Sequence, residues 1–570
     1  MKRGVKAAVQ PSDEDVQATG ASDAPVIPDE LTLSPTTQPP EIQNPKSKIG
    51  NRLALNTLIV GGAFVVSRVL GLVREAVLAG QFGTGPQYDA YVAAFRVPDT
   101  LFLLIIGGAV GSAFIPVFTA HLRKGDEESA WNLASTLINA SMLFLGLGGI
   151  LMGLFAPHLV ATLIAPAMSP SQQALVVDLT RILLLSPLFM GLGGWAMGIL
   201  NARQNFTLPA LAPVAYNLAI IAGALFLAPA FGIYGLAWGV VVGALLHFGV
   251  QTPGLWRAAM RYSPRLNLRD SGVSEVSKLL LPRILGQAAF QVNIIAMTNI
   301  GSFLPVGRIS ALNYAYLLMM LPHGVFALSL ATVTFPTMSA QYAEGDLDGL
   351  RATLARAVKV LLFLTLPSAA GLLLLRSEVV VALFQFGQFN RDSTELVASA
   401  LGFFALGLVA YALVEVLTRA FYALHDTKTP VAISLITVLL NLGLSFTLVR
   451  LLGWDHNGLA LSLAATTTVE MVLMWVLLGR KLPGWRLSSG SLATSIVKSA
   501  VAALIMGLFL FLFLPALYNL MPDPGGKLES VLILFVGMGA GTGIFLAVAR
   551  LLRSAELNEA LSLLLRRVRR

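Results

Sequence analysis

The sequence predicts an all-α polytopic membrane protein of about fourteen transmembrane helices. They form two six-helix lobes related by a parallel internal repeat, with two further helices at the C-terminal end. Three observations carry that expectation. The 570 residues are 56% hydrophobic and 12% charged, with a mean hydropathy of +0.75, whereas soluble domains carry about a quarter charged residues. Apolar segments long enough to cross a hydrocarbon core of about 30 Å follow one another from residue 53 to residue 552. The chain also resembles itself at an offset of roughly 215–225 residues, which covers six spans.

Composition excludes several classes. There are no cysteines, so disulfides, thiolate metal sites and cysteine catalysis are out. The net charge of +9 does not point to nucleic acid, because the basic residues lie mostly in short connections and the tails. No early apolar run resembles a cleavable signal peptide.

Residues 1–48 are polar and rich in Pro, Ser, Thr and Asp, and are expected to be a disordered cytoplasmic tail. The N-terminal lobe is placed at 49–262. Its first span, Leu53 to Ala79, contains Arg68, Arg74 and Glu75. Its second, Tyr88 to Thr119, has Asp89, Arg96 and Asp99 near its start and is broken by Pro98. A charge at the bilayer centre costs a few kcal/mol on insertion scales, so it persists where it faces water or a partner. Arg68 and Glu75 are seven apart, as are Asp89 and Arg96, which puts each pair on one helix face. These residues are expected to form the polar wall of a cavity.

Twelve further spans are placed at 129–157, 173–201, 208–230, 233–256, 277–304, 309–341, 352–376, 394–424, 430–452, 457–479, 492–519 and 528–552. A short amphipathic piece along the interface is expected around Ala156 to Met168. The C-terminal lobe is placed at 263–483, the last two helices at 484–553, and a basic amphipathic tail at 554–570. Even-numbered connections hold Arg123 and Lys124, Arg203, the arginines at 257, 261, 265 and 269, Arg351, Lys428 and Arg480. Odd-numbered ones are poor in Lys and Arg. The positive-inside rule then places both termini in the cytoplasm.

In the repeat, Arg68-Val69-Leu70-Gly71 recurs as Arg283-Ile284-Leu285-Gly286, and Gly125-Asp126 as Gly345-Asp346. Gly235-Leu236-Ala237 recurs as Gly458-Leu459-Ala460. Two lobes around a shared cavity suit alternating access. Gly537, Gly539, Gly541 and Gly543 read as close helix packing. No P-loop, metal-binding motif or nucleophile–base arrangement is present, so neither an ATPase nor an enzyme is expected.

Arg68, Arg74, Arg96 and Arg283 would attract an anion, and arginine suits phosphate through its planar donors. Glu415 and Arg419, one turn apart, can neutralise each other. Glu470 lies deep in the twelfth span without a local partner, and reads either as a protonatable coupling residue or as held by another helix. Asn441 and Ser445 share a face of the eleventh span and could offer oxygens to an ion or bond between helices. His247 and His323 are expected to be packed or interfacial.

Ser67-Arg68-Val69-Leu70-Gly71-Leu72-Val73-Arg74-Glu75, Gln81-Phe82-Gly83 and Asp89-Ala90-Tyr91-Val92-Ala93-Ala94-Phe95-Arg96-Val97-Pro98 resemble the opening of the MurJ/MviN family. Ala113-Phe114-Ile115-Pro116 and the stretch from Phe421 to Pro430 are similar too. The family belongs to the multidrug/oligosaccharidyl-lipid/polysaccharide exporter superfamily. The resemblance implies fourteen helices in two lobes and a flippase for lipid II, the undecaprenyl-pyrophosphate-linked peptidoglycan precursor, in the plasma membrane. It implies that Arg68 and Arg74 line a cationic cavity, that Asp89 lies near its outer gate, and that the last two spans hold the lipid tail. Implied partners are that lipid-linked substrate, membrane lipids and cell-wall synthesis proteins. No cofactor is implied; a sodium or proton gradient is the candidate coupling. Two places depart from the family, which commonly has cations where this chain has Phe102 and Leu317. They favour, as the alternative, a flippase or exporter for another polyprenyl-linked oligosaccharide or amphiphile. A non-transporting membrane scaffold is the alternative from a different class.

Overall fold

The computed structural model describes residues 45–107, 113–269, 271–485, 490–522 and 525–559, with side chains from residue 60 onward except at 271, 279, 281–283, 285 and 286. Among these residues every regular element is a helix. Packing divides the chain at Ala54; Leu55–Arg570 is one compact unit. Of the unit before it, the start of the first helix is described.

Helix α1 is Pro45–Phe82, so helix begins inside the tail expected to be disordered. The second predicted span is three pieces, α2 (Pro86–Ala94), α3 (Arg96–Ile105) and α4 (Ile115–Arg123). Proline explains the first break. Pro98 has no N–H for the carbonyl of Ala94, and the Thr180 hydroxyl donates to that carbonyl instead at 3.3 Å.

Helix α5 (Glu127–Leu159) runs on through a π turn at Val160–Ile164. The interfacial piece expected at 156–168 is therefore the end of the third span. Val160, Ile164 and Ala165 are buried there, while Pro157, His158 and 161–163 are exposed, so the stretch is two-faced as expected of an amphipathic piece. The fourth span is α6 (Pro170–Leu183) and α7 (Ser186–Ala202), bent before Pro187. The fifth is α8 (Thr207–Ala222), a π turn at Gly223–Leu227 and α9 (Ala228–Phe231). The sixth is α10 (Ile233–Gly249) and α11 (Thr252–Arg257).

The seventh predicted span is α12 (Ser271–Gly301). The eighth is α13 (Arg308–Pro322) and α14 (Ser329–Ala343), joined by a π turn after Pro322. Then come α15 (Leu347–Leu374), a short α16 (Arg376–Phe384) missing from the sequence reading, and α17 (Arg391–Ala423). Helices α18 (Lys428–Phe446), α19 (His456–Lys481), α20 (Gly490–Asn519) and α21 (Lys527–Leu551) complete the order. Beyond Ser554 helix continues over 555–559; the rest of the expected basic tail lies outside the described residues.

Among the described residues, eleven helical segments are long and apolar enough to cross a membrane. The predicted first, second and seventh spans, which carry the charges and breaks, coincide with helices outside those eleven. The chain is a multi-pass membrane protein.

Backbone features recur at the repeat offset. Gly125 and Gly345, 220 apart, both have φ +76°, and each is followed by an aspartate that caps the next helix, Asp126 onto Ser129 N and Asp346 onto Gly349 N. Gln204 and His425, 221 apart, both have φ +59°. The π turns at Gly223–Leu227 and Thr447–Leu451 are 224 apart.

The last two helices pack through two of the four glycines. A Cβ on Gly541 would come 3.0 Å from Leu510, and one on Gly537 would come 2.9 Å from Leu375, while Gly539 and Gly543 face open space. Small residues on one face let two helices approach. Gly541→Leu is therefore expected to overpack the α20–α21 seam, at a cost of about 1–3 kcal/mol. Gly543→Leu should leave stability unchanged. Thermal unfolding of the two variants in detergent checks this.

A latched end and a central cavity

The odd-numbered connections gather at one end of the bundle. There Thr84 and Ser393 hydroxyls lie 2.8 Å apart, Gln388 N donates to the Gly80 carbonyl at 2.8 Å, and Arg308 pairs with Asp455 at 2.9 Å. A Cβ on Gly80 would collide with the Phe386 ring. Burial pushes the Asp455 carboxyl up, but hydrogen bonds from Arg308 and from His456 N outweigh it and hold the group below its ordinary value. The even-numbered connections meet at the opposite end, where Arg203 pairs with Glu127 and Lys481 with Asp426.

Asp89 fastens the first end. It is 3% exposed and accepts from Gly307 N at 2.6 Å, Ser310 N at 2.7 Å and Ser310 Oγ at 2.5 Å. It thus caps α13 from a distant part of the chain, as an anion at a helix N-terminus should. Gly307 has φ +93°, and a side chain there would also strike the Thr84 carbonyl. Beside this cap Tyr88 stacks on Tyr314, with centroids 4.9 Å apart.

The expected pairs at seven-residue spacing do not form. Glu75, 5% exposed, is held by its neighbour Arg74, whose Nε and Nη2 donate to Oε1 at 3.1 and 2.5 Å. Tyr88 OH donates to the other oxygen at 3.3 Å. Arg74 Nη1 donates to Asn217 Oδ1 at 3.0 Å, and Asn217 Nδ2 to the Ser67 carbonyl at 3.3 Å. A long arginine can wrap to a carboxylate beside it, whereas Glu75 points into packing that Arg68 cannot reach. Glu75 and Asp89 are therefore buried between helices and do not line an open wall.

Arg68 is exposed. Its guanidinium lies 5.3 Å over the Phe64 ring, and its Nη1 is 3.0 Å from where a Cβ on Gly324 would stand. It makes no ion pair among the described residues and sits at the seam between α1 and the π turn after Pro322. The side chain of Arg283 lies outside the described residues.

Arg96 turns away from Asp89 and donates Nε to Thr298 Oγ1 at 2.9 Å. It lines a cavity of about 260 Å³ with Asp99, Gln291, Asn313 and Tyr316, between α3, α12 and α13. Phe102 and Leu317 pack against the apolar core beside it.

Glu415 and Arg419 do pair, at 2.9 Å. Glu470 accepts from Ser434 Oγ at 2.6 Å, so another helix holds it. Asn441 Nδ2 donates to Ser462 Oγ and Thr466 Oγ1, both at 3.1 Å, and Ser445 Oγ donates to Ser462 Oγ at 2.9 Å. That set fits a bare cation poorly. It has no carboxylate, its hydroxyls bond one another, and Asn441 Oδ1 is left as its unpartnered oxygen. Among the described residues no cluster of His, Cys, Asp and Glu could hold a metal ion.

Sequence reasoning missed Asn217, Tyr88, Gly307 and Ser310. No local signal marks them, because their partners lie 13 to 221 residues away.

The family model described as Lipid II flippase MurJ matches residues 78–522. A lipid II flippase MurJ from Burkholderia cenocepacia is 33% identical over 441 residues, 75% of this chain and 85% of the relative. A probable lipid II flippase MurJ from Rhizobium meliloti is 31% identical, over 88% of this chain and 94% of the relative. Among solved structures, a lipid II flippase MurJ in an inward closed conformation aligns with a TM-score of 0.72 at 26% identity, covering 86% of this chain and 99% of that one. An inward-facing multidrug resistance MATE transporter of the MOP superfamily aligns with a TM-score of 0.62 at 15% identity, over 74% of this chain and 96% of that one, a likeness of fold alone. The break at Pro98, the capping aspartate and the paired arginine thus lie in a chain that belongs to the lipid II flippase MurJ family.

Proposed function

We propose that this protein flips lipid II from the inner to the outer leaflet of the plasma membrane during cell-wall synthesis. The observation that carries the reading is the family match across residues 78–522. Fourteen crossings, in two six-helix lobes at 49–262 and 263–483 with both termini cytoplasmic, fit the positive-inside pattern and the gathering of odd-numbered connections at one end. The recurring turns and caps support the parallel relation of the lobes. On this topology the latched end is the outer one, so the described state is closed to the outside.

The protein acts as a transporter by alternating access, not as an enzyme. Arg68, exposed and without an ion pair among the described residues, meets the diphosphate first. Arg74 joins it by exchanging its hold on Glu75, and Arg283 adds a matching charge from the other lobe. The headgroup occupies the cavity while the polyprenyl tail stays in lipid against the last two helices. Opening outward requires Asp89 to release α13.

Of the two gradients considered, a proton suits these residues better. Glu470 is a titratable group held by hydroxyls of α18, whereas the Asn441–Ser445 set offers no carboxylate. A flippase for another polyprenyl-linked headgroup is the second reading, favoured by the apolar packing of Phe102 and Leu317.

The test is complementation in cells depleted of their own lipid II flippase, read as the amount of lipid II that an added external enzyme can cleave. Restored cleavage is expected, with Arg68→Ala lowering it about tenfold or more, the worth of one strong charge-assisted contact. No restoration by folded, membrane-inserted protein would contradict the reading. Separately, Asp89→Ala strands the Gly307 and Ser310 donors and is expected to cost about 3 kcal/mol or more of stability. Asp89→Asn, which keeps an acceptor, should cost less. Thermal unfolding in detergent ranks the two.

A further inference from the structure

Asp99 is the acid among the described residues lining the 260 Å³ cavity, and the mechanism above gives it no part. It stands in the first turn of α3, just past the break before Arg96. It is exposed, and its carboxylate makes no hydrogen bond or ion pair within 4.0 Å among the described residues. The nearby Arg96 directs its Nε to Thr298. A second group in the same cavity also lacks a partner. Gln291 is 5% exposed, and its Nε2 is buried with no hydrogen bond. Asn313 and Tyr316 add polar edges, and most of the remaining lining is apolar.

This set is wrong for a phosphate. Arg96 lines the same cavity and attracts Asp99, but its Nε is turned onto Thr298, and the Asp99 carboxylate, left without a hydrogen bond among the described residues, weighs against an anion beside it. The same carboxylate attracts a cation, and the side-chain amides can pair with peptide groups. We propose that Asp99 is a specificity-determining residue that holds a protonated amine on the substrate headgroup, while Gln291 and Asn313 hydrogen-bond the amide-bearing part around it. The inference rests on the lipid II reading. It assigns the diphosphate to Arg68 and Arg74 and the amine-bearing peptide to the cavity at Asp99.

Asp99 could simply favour the start of α3, since acids stabilise a first helical turn. A purely structural role would not depend on the charge of the substrate.

The test uses the full chain and two preparations of lipid II, one with a free lysine amine on its peptide and one with that amine acetylated. Affinity is measured in detergent and translocation in proteoliposomes, each as a ratio between the two lipids. The wild type is expected to prefer the free amine about tenfold, the scale of one charge-assisted contact. Asp99→Asn should bring the ratio to about one, and Asp99→Glu should restore most of it. Equal handling of both lipids by the wild type overturns the proposal, as does an Asp99→Asn variant that keeps the preference. If Asp99→Asn fails to fold, the wild-type ratio and the Asp99→Glu variant still decide. A chain that neither binds nor moves either lipid overturns the lipid II reading itself; one that moves both equally overturns only the role of Asp99.

Discussion

One carboxylate ties distant parts of this chain together. Asp89 reaches across the chain to the N-terminus of α13, and three donors converge on it. A buried anion is tolerable only when its oxygens are satisfied. Here the partner is the end of a helix whose own amides would otherwise be unpaired. Each side therefore needs the other. The cost of separating them is concentrated in a few hydrogen bonds, which a substrate or an ion can offset. Around this point the Tyr88–Tyr314 stack and the Thr84–Ser393 contact close the rest of the end.

The other intramembrane charges follow the same economy of pairing. Glu75 is covered by Arg74, Tyr88 and the packing near Asn217, and Glu415 is covered by Arg419. Arg68 and Asp99 make no ion pair within 4.0 Å among the described residues, although Arg96 stands near Asp99. Arg68 stands exposed at the seam of α1, and Asp99 stands exposed in the cavity. A cation and an anion held apart in this way suit a substrate with charges of both signs better than a simple anion.

Much of the fold was legible in the sequence because helix length and hydropathy are local properties. Among the described residues, eleven of the predicted spans coincide with helical segments long and apolar enough to cross a membrane. The break in the second span was read from Pro98, although the hydroxyl that satisfies it comes from Thr180 and could not be. The pairing of charges was legible only in part. Spacing put Arg68 with Glu75 and Asp89 with Arg96, but helix periodicity gives only the face a residue shares. It says nothing of which distant helix supplies the partner. Glu470 illustrates this, since Ser434 lies 36 residues away on α18. The short helix α16 was missed because nine residues are too few for a hydropathy signal. The piece expected near Ala156 continues the third span without a break, because an amphipathic pattern does not show where one helix ends and the next begins.

The central claim is that the end fastened by Asp89 must open during each cycle. The most direct measurement is a reversible cross-link across it. The chain has no cysteines, so Thr84→Cys with Ser393→Cys gives a single pair on a clean background. The two hydroxyls are 2.8 Å apart, close enough for the replacing sulfurs to bond. The account expects the oxidised pair to stop lipid II translocation and a reductant to restore it. Full translocation by the cross-linked protein would contradict it.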